Sequence, residues 1–337
     1  MDFSSLYESC SQCPRKCSVN RRANQRGFCG ENASLKIATA GLHFGEEPPV
    51  TVFGGSGTIF FTGCTLRCSF CQNYQISQKG MGAGVDCGTF VKMCLELQNI
   101  GAENINLVTG SHHIPLIADF LSEAKNSGLE IPVAWNSSAY ESIEMLERLR
   151  GLVDLWLPDL KSLNPKMSAK LFGARDYPDV ASDAILWMIE NSPMKIVEMK
   201  KNGETKEKML SGVIVRHLFM PGRLEDTASV LDWLKNNADG KSCISLMSQY
   251  TPVPFKEDSE SAEKRQKSLA AFENRLVSET EDSDIRDLIE AYDFDYLFYQ
   301  ELSDDTSWLP DFTRPQPFSN KLATPIWHWS KGFLPIK

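Results

Sequence analysis

Short apolar runs alternate with amphipathic stretches along most of the chain after about residue 58. The apolar runs predict strands. They span 58–63, 104–110, 131–138, 152–160, 212–222 and 243–250, with a further run at 295–302. Apolar positions at helical spacing predict helices at 89–100, 114–127, 141–150, 181–191 and 226–236. Because the two patterns alternate, we expect parallel β–α–β units with right-handed crossovers.

Chemically distinctive residues follow the carboxyl ends of these strands. They are Cys64–Cys71, Thr109–His113, Asn136–Ser138, Asp159–Lys161, Pro221–Gly222 and Ser248–Tyr250. An open doubly wound sheet would gather such residues at one switch point, whereas a βα barrel brings loops from several strands to one face. The pattern therefore favours an α/β fold, a partial (βα)6 TIM-type barrel that we place at residues 46–302.

The two ends of the chain differ from the barrel in composition and in hydrophobic pattern. Residues 1–45 begin as a polar, basic, cysteine-rich stretch, so we expect a small metal-binding segment that cannot fold by apolar burial alone. Residues 256–292 predict charged, solvated helices. Residues 303–337 are rich in proline and tryptophan and predict an aromatic extension that packs across the barrel.

Composition narrows the class of protein. The 337 residues are 42% hydrophobic and 23% charged, as in globular proteins, and the net charge is −9. An acidic chain is a poor match for a broad nucleic-acid surface. The first residues lack the basic and apolar regions of a signal peptide, and no apolar run reaches the ~20 residues of a membrane span. We expect a cytoplasmic protein with neither nucleic acid nor membrane as partner.

Seven of the ten cysteines lie in the first 71 residues, in two groups. In a reducing compartment such groups indicate metal binding or catalysis rather than disulfides. The other three cysteines, Cys87, Cys94 and Cys243, are scattered, and we expect them to be packing residues.

The second group has the spacing Cys64-x3-Cys68-x2-Cys71 directly after a predicted strand. Three thiolates can hold three irons of a [4Fe–4S] cluster and leave the fourth iron open. The amino and carboxylate groups of S-adenosylmethionine (SAM) form a chelate that suits this iron. Electron transfer into the sulfonium would then give methionine and a 5′-deoxyadenosyl radical that abstracts hydrogen. A structural zinc loop is the alternative, but no fourth Cys or His lies nearby in sequence.

The chain resembles the radical SAM superfamily and, within it, the branch similar to pyruvate formate-lyase-activating enzymes. The segments that carry the resemblance are CPRKCSVNR, GEEPPVTVFGGSGTIFFTGCTLRCSFCQNYQIS, WNSSAY, LPDLKS, RHLFMPG and ISLMSQYTP. The resemblance implies a partial TIM barrel, a SAM-bound [4Fe–4S] cluster and radical chemistry. It also implies that the backbone of Phe70 contacts the adenine.

The resemblance implies further SAM contacts at strand ends, namely Thr109, Gly110, Asn136, Ser138, Asp159, Lys161 and Arg216. Thr109 and Gly110 stand at a turn that is GGE-like in the family, although the acidic residue is missing here. Taken alone, Asp159 and Lys161 could form a local ion pair, and Arg216 could be a solvated residue of the barrel rim.

Two further features of the barrel sequence have open roles. His112 and His113 follow the second predicted strand, and we expect them to face the same mouth as proton-shuttle or ligand candidates. The stretch 54–57 is glycine-rich but lacks the Lys-Ser/Thr of a phosphate-binding loop, so it predicts a tight turn with close backbone packing.

The first cysteine group has the spacing Cys10-x2-Cys13-x3-Cys17-x11-Cys29. Four thiolates can form a tetrahedral zinc site or hold an auxiliary [4Fe–4S] cluster. Four free thiols in a disordered arm are a weaker alternative. Iron–sulfur is slightly favoured, because the protein must already be loaded by cluster-assembly machinery.

Together these features predict a SAM-dependent radical oxidoreductase whose partners are SAM and a low-potential electron donor such as flavodoxin or ferredoxin. One hypothesis is an activating enzyme that installs a glycyl radical on a protein substrate. A second is modification of another peptide or of a small molecule. A third, from another class, is a non-enzymatic electron carrier or metal-stabilised scaffold.

Overall fold

The computed structural model describes residues 4–255, 258–303, 309–319 and 322–335. In these ranges one sheet contains the strands β1 (Lys36–His43), β2 (Ser56–Phe61), β3 (Ala83–Gly84), β4 (Ile105–Val108), β5 (Val133–Ser137), β6 (Leu155–Pro158), β7 (Lys195–Lys201), β8 (Glu204–Leu218), β9 (Cys243–Met247), β10 (Leu297–Gln300), β11 (Ala323–His328) and β12 (Gly332–Phe333).

The helices of the described ranges are α1 (Ser4–Glu8), α2 (Pro48–Thr51), α3 (Tyr74–Ser77), α4 (Cys87–Asn99), α5 (Ile114–Asn126), α6 (Ile143–Glu147), α7 (Pro165–Phe172), α8 (Tyr177–Asn191), α9 (Leu224–Asn237), α10 (Ser259–Leu269) and α11 (Glu279–Tyr292). Local chemistry sets several ends. The Asn164 side chain accepts from two backbone N–H groups at the start of α7, and Gly173 ends that helix in the left-handed region. Ser278 and Glu281 form a capping box on α11.

The strands β2, β4, β5, β6, β8, β9 and β10 run parallel to their neighbours in that order. Beyond β2 the sheet continues through β1, β11 and β12, which pair antiparallel. The sheet path starts at β10 and ends at β12, so the curved sheet is an open, partial barrel. The predicted strands and helices of the barrel are all present, and the α/β fold class is confirmed.

Several strands have no counterpart in the predicted set. β7 and the first half of β8 form an antiparallel hairpin whose charged residues are mostly exposed, so it carries little apolar periodicity. β1 lies within residues 1–45 yet sits between β2 and β11 in the sheet. β11 belongs to the C-terminal extension and joins the sheet through β1. β1 and β11 pair with each other from opposite ends of the chain, and a short window cannot show such a partner.

The core lies between the sheet and its outer helices. Cys94 is fully buried on the inner face of α4, and Cys243 is buried in β9, which confirms both as packing residues, while Cys87 at the start of α4 is half-buried. The glycine-rich stretch 54–57 begins in the predicted turn and then enters β2. A Cβ at Gly54 would lie 1.9 Å from the carbonyl oxygen of Gly101, so the two backbones touch there.

Candidate cofactor site at the carboxyl edge of the parallel strands

Cys64, Cys68 and Cys71 lie on one loop that leaves the carboxyl end of β2. The thiols of Cys64 and Cys68 are buried, and Cys71 is half-buried. The Cys64 sulfur accepts from the Leu66 N–H at 3.3 Å, and the Cys71 sulfur lies 3.3 Å from the Ser77 hydroxyl. Backbone bonds close the loop, including one of 3.2 Å from the Cys71 N–H to the Cys68 carbonyl. The loop therefore holds three sulfurs together at the edge where the parallel strands end.

Burial disfavours the thiolate forms of Cys68 and Cys71 when no metal is bound. Burial raises the pKa of Cys71 to about 11, and the Ser77 hydrogen bond opposes that rise. Burial also raises the pKa of Cys68, whereas the Lys161 ammonium lowers it and the nearby Cys64 and Cys71 raise it further. Bound iron would replace the thiol protons, so loading releases protons. The donor set fits a cluster that takes three thiolates.

Phe70 lies on the same loop, and its ring packs edge-on against Phe172, Tyr250 and Phe272, with centroids 6.0, 6.3 and 6.1 Å away. A cavity of about 250 Å³ opens beside it. Its lining residues are Cys68, Phe70, Cys71, Gln72, Asn73, Asp159, Lys161, Leu218, Met220, Met247, Gln249, Tyr250 and Gln300. The lining of the cavity thus combines two cysteines, two aromatic rings and a pair of oppositely charged residues.

Asp159 and Lys161 form the charged pair. Their Nζ–Oδ2 distance is 2.5 Å, so the local ion pair considered in the sequence is present, and both residues also line the cavity. Burial lowers the pKa of Lys161, but the Asp159 carboxylate outweighs this effect and raises the pKa, so Lys161 stays charged. The Tyr177 hydroxyl donates to the Asp159 carbonyl at 2.6 Å and accepts from the Lys161 N–H at 2.9 Å.

Arg216 is not a solvated rim residue, and that alternative is wrong. Its guanidinium is buried, with Nε 2.8 Å from Glu47 and Nη2 2.5 Å from Glu46. Burial would raise the pKa of Glu47, but Arg216 outweighs this effect and lowers it. Arg216 and Glu46 line a second cavity of about 840 Å³, together with His43, whose Nδ1 lies 3.6 Å from Glu46. These partners were not predicted from the sequence, although GEEPP contains both glutamates.

The second cavity adjoins the first. Both cavities are lined by Gln72, Asn73, Asp159, Met247, Gln249 and Gln300. The C-terminal extension supplies another part of the larger lining, through Pro310, Phe318, Ser319 and Leu322. A reactive group formed in the smaller cavity therefore has direct access to a larger one that the extension helps to enclose.

The remaining predicted strand-end residues differ in whether they line a cavity. Asn136 lines the larger cavity, while Thr109, Gly110 and Ser138 line neither of the two. Thr109 has a φ of +64°, and a Cβ at Gly110 would come within 2.6 Å of the Trp135 ring. This turn is therefore tightly packed.

A carboxylate does lie against this turn, although the turn itself lacks an acid. Ser111 donates a hydrogen bond to the buried Glu141, which follows β5. Burial raises the pKa of Glu141, while hydrogen bonds from Ser111, Ser137 and Trp135 oppose the rise. Glu141 was not predicted as a site residue, because its contact with the turn spans 30 residues.

His112 and His113 do not face either cavity. His112 Nε2 lies 2.7 Å from the Thr62 carbonyl, and His113 contacts Arg21 and Tyr7 at 2.8 and 3.1 Å. Burial lowers the pKa of His112 to about 3, with a further contribution from the Arg21 charge. The expectation that these histidines face the mouth is wrong, because the cysteine-rich segment packs over them.

The cysteines of the first group are Cys10, Cys13, Cys17 and Cys29, and all except the half-buried Cys17 are buried. Cys13 is close enough to the other three for each to raise its pKa, and burial is the largest cause of the rise to about 12. The Phe28 N–H donates to the Cys17 sulfur at 3.3 Å. Four neighbouring thiols fit either zinc or a cluster.

The cysteine side chains, as they stand, do not outline a single-ion site. Within the ranges that the structure describes, no three Cys, His, Asp or Glu side chains surround one metal-ion position. The three thiolates of a cubane bind three separate irons, so a cluster does not require such a position.

Gly63 joins the two cysteine groups. Its φ is +88°, and a Cβ there would lie 2.5 Å from the Glu31 side chain, 2.9 Å from His112 Nε2 and 3.0 Å from the Cys29 carbonyl. The residue before the first cluster-loop cysteine thus packs directly on the cysteine-rich segment.

Replacing Gly63 by alanine should disturb both cysteine groups, since a methyl group has no room there. We expect Gly63→Ala to hold less than half of the wild-type iron after anaerobic reconstitution. Gly80→Ala is the matched control, because Gly80 has a φ of +76° but nothing within 4 Å of a Cβ. Equal iron contents in the two variants, measured beside circular dichroism, would contradict the close packing.

The comparisons with known proteins agree with the fold and the cysteine loop. Residues 58–211 match the family model of the Radical SAM superfamily. The matched part of the chain contains most of the parallel strand β2, all of β4, β5 and β6, and the three cysteines. The family binds a [4Fe–4S] cluster and SAM.

Among the relatives, an uncharacterized protein of Methanocaldococcus jannaschii is 29% identical over 300 residues, which cover 87% of this chain and 78% of that protein. A pyruvate formate-lyase-activating enzyme of Listeria monocytogenes is 30% identical over 122 residues, which cover 34% of this chain and 49% of the enzyme. The aligned region thus spans about half of the activating enzyme.

Among solved structures, SuiB of Streptococcus suis bound to its precursor peptide SuiA has a TM-score of 0.46 at 14% identity, covering 72% of this chain and 47% of SuiB. Among the described residues, no helix has the length and apolar character that a membrane span requires.

Proposed function

We propose that this protein reductively cleaves SAM at a [4Fe–4S] cluster held by Cys64, Cys68 and Cys71, and then abstracts hydrogen from a substrate. The observation that carries the proposal is the shared lining of the smaller cavity, which joins this cysteine loop to Asp159 and Lys161. When bound, the cluster and SAM supply a 5′-deoxyadenosyl radical. The protein's own residues must bind SAM, orient it and keep water away.

The charged pair is well suited to hold the amino-acid end of SAM. Lys161 keeps its positive charge and can donate to a carboxylate, while Asp159 can accept from an ammonium group. Tyr177 fixes the backbone of both residues, so their side chains start from a rigid base. The Phe70 backbone is the proposed adenine contact. Thr109, Gly110, Asn136, Ser138 and Arg216 remain proposed SAM contacts.

The larger cavity is the proposed substrate site. Its mixed lining includes the amides of Asn73 and Asn136 and the rings of Phe60 and Phe318. Apolar walls exclude water from a reactive radical, while the amides can orient a polar substrate.

The first cysteine group is proposed to hold an auxiliary [4Fe–4S] cluster or zinc. Support comes from the four neighbouring thiols and from the contact of Cys29 with Gly63. Either group would fix a segment that has few apolar contacts of its own.

Two substrate classes follow from this site. The Listeria relative is named a pyruvate formate-lyase-activating enzyme, which supports installation of a glycyl radical on a protein. The larger cavity supports the second class, a small molecule or a peptide side chain, because the C-terminal extension supplies part of its lining and restricts access.

One experiment separates the two classes. Anaerobic holoprotein, SAM and dithionite would be incubated either with pyruvate formate-lyase or with a small-molecule extract of cells that express the protein, filtered below 3 kDa. An activating enzyme should produce the electron paramagnetic resonance doublet of a glycyl radical. A small-molecule enzyme should instead form 5′-deoxyadenosine several-fold faster with the extract. No stimulation by either addition would contradict both of these substrate assignments.

A further inference from the structure

An open cleft of about 530 Å³ lies on the outer side of the cysteine loop. One wall is Leu66, Arg67 and Ser69 of that loop, and Phe28 of the cysteine-rich segment stands nearby. The described residues that line it include the basic side chains Arg67, Lys79, Lys170, Lys264 and Arg265, and no Asp or Glu. Such a concentration of positive charge is unusual for a chain whose net charge is −9.

The cleft lies where the two cysteine groups meet. Phe28 directly precedes Cys29, and Arg67 stands between Cys64 and Cys68. The Arg67 guanidinium donates to the Phe28 carbonyl at 3.2 Å. Arg15 reinforces the junction with a bond of 2.9 Å from its Nε to the Thr65 carbonyl. An electron that arrives in this cleft therefore has only a few residues to cross before it reaches a cysteine of either group.

Three of the cations in the cleft, Arg67, Lys170 and Lys264, have no carboxylate partner among the interactions of the described residues. The hydrogen bonds of Arg67 go to the carbonyl oxygens of Phe28 and Gln78, which are neutral. Lys170 on α7 and Lys264 on α10 are exposed on its rim. Phe28 is also 37% exposed, with the Arg15 guanidinium 3.8 Å from its ring centroid. An exposed aromatic residue within a ring of cations is typical of a protein-binding surface.

We infer that this cleft is the docking surface for a small acidic protein that carries one electron at a time. The inference rests on the proposed function, because that reaction consumes an electron at the Cys64–Cys71 loop. One electron leaves the reduced carrier, which is oxidised, and reduces the cluster by one electron, and no atom is transferred. Opposite charge steers the carrier to the cleft, and Phe28 supplies an apolar contact once it arrives.

The test measures binding of two acidic carriers, a flavodoxin and a [2Fe–2S] ferredoxin, to the anaerobic holoprotein at low and high salt. The variant Lys170→Glu/Lys264→Glu reverses the charge of two exposed side chains of the cleft. Neither residue lies on the cysteine loop or in the cysteine-rich segment. Lys79 and Arg265 are left unchanged, since Lys79 is close to Asp258 and Arg265 supports the Ser69 carbonyl at 2.6 Å. Lys200→Glu/Lys241→Glu is the matched control, because both lysines are exposed and neither lines the cleft, Lys200 lying in the β7–β8 hairpin and Lys241 just before β9.

We expect the Kd for at least one carrier to rise tenfold or more in the cleft variant at low salt and to stay within twofold in the control. Reduction of the cluster by that carrier in its reduced form, followed by stopped-flow absorbance, should slow to the same degree, while dithionite-driven SAM cleavage stays unchanged. Equal binding by both variants, or no binding of either carrier by the wild type, would overturn the inference. Absence of dithionite-driven SAM cleavage in the wild type would instead count against the proposed function.

Discussion

Replacing Cys64, Cys68 and Cys71 together by alanine should remove about four irons per chain and lower SAM cleavage at least a hundredfold. The reason is that the three thiolates hold three of the irons in a cubane, and no described cysteine besides Cys68 and Cys71 lines the smaller cavity. Iron, sulfide and zinc would be measured on anaerobically purified protein beside the visible absorption of the cluster.

Cys87→Ala provides the control for this variant. Cys87 is half-buried like Cys71 but lies at the start of α4, away from the loop. The iron content of the Cys87→Ala variant should therefore match that of the wild type. The same measurement decides the first cysteine group. About eight irons falling to four indicate an auxiliary cluster, whereas four irons plus one zinc, with only the iron lost, indicate a zinc site. Iron unaffected by the triple variant would contradict the assignment.

Replacing Arg216 by methionine should lower the free energy of unfolding by about 3–5 kcal/mol, because two glutamates would be left buried without their cation. Methionine keeps most of the side-chain volume, so the loss reports on charge rather than on a cavity. Adding Glu46→Gln and Glu47→Gln should restore much of the stability, since the buried charges are then removed.

Arg275→Met is the matched control. The Arg275 side chain is 42% exposed and pairs with Glu273 and Glu281, so its loss should cost no more than about 1 kcal/mol. Urea unfolding of the apoprotein, followed by circular dichroism, gives the comparison. If Arg216→Met were no more destabilising than the control, the buried ion pair would not be the structural anchor described above.

The parallel strands and the cysteine loop could be predicted because their signals are local. The strands β4, β5 and β6 are mainly apolar and almost wholly buried, as expected for strands covered on both faces. The spacing of Cys64, Cys68 and Cys71 requires only a single loop. Both patterns fit within short windows of the sequence.

Partnerships between distant residues could not be predicted. Glu47 meets Arg216 across 169 residues, and Tyr7 meets His113 across 106. Arg216 at a strand end and the pair His112 and His113 are visible in the sequence. The segments that pack against them are not. The burial of His113 depends on the cysteine-rich segment, whose position is set by Arg21 and by the packing on Gly63.

The most direct test of the central claim is SAM cleavage by the wild-type holoprotein under dithionite, without added substrate. Chromatography with mass detection would quantify 5′-deoxyadenosine and methionine after anaerobic reconstitution. The account predicts that both products form in equal amounts and that neither forms without reductant. Protein that holds about four irons in the cysteine loop and still leaves SAM intact would contradict it.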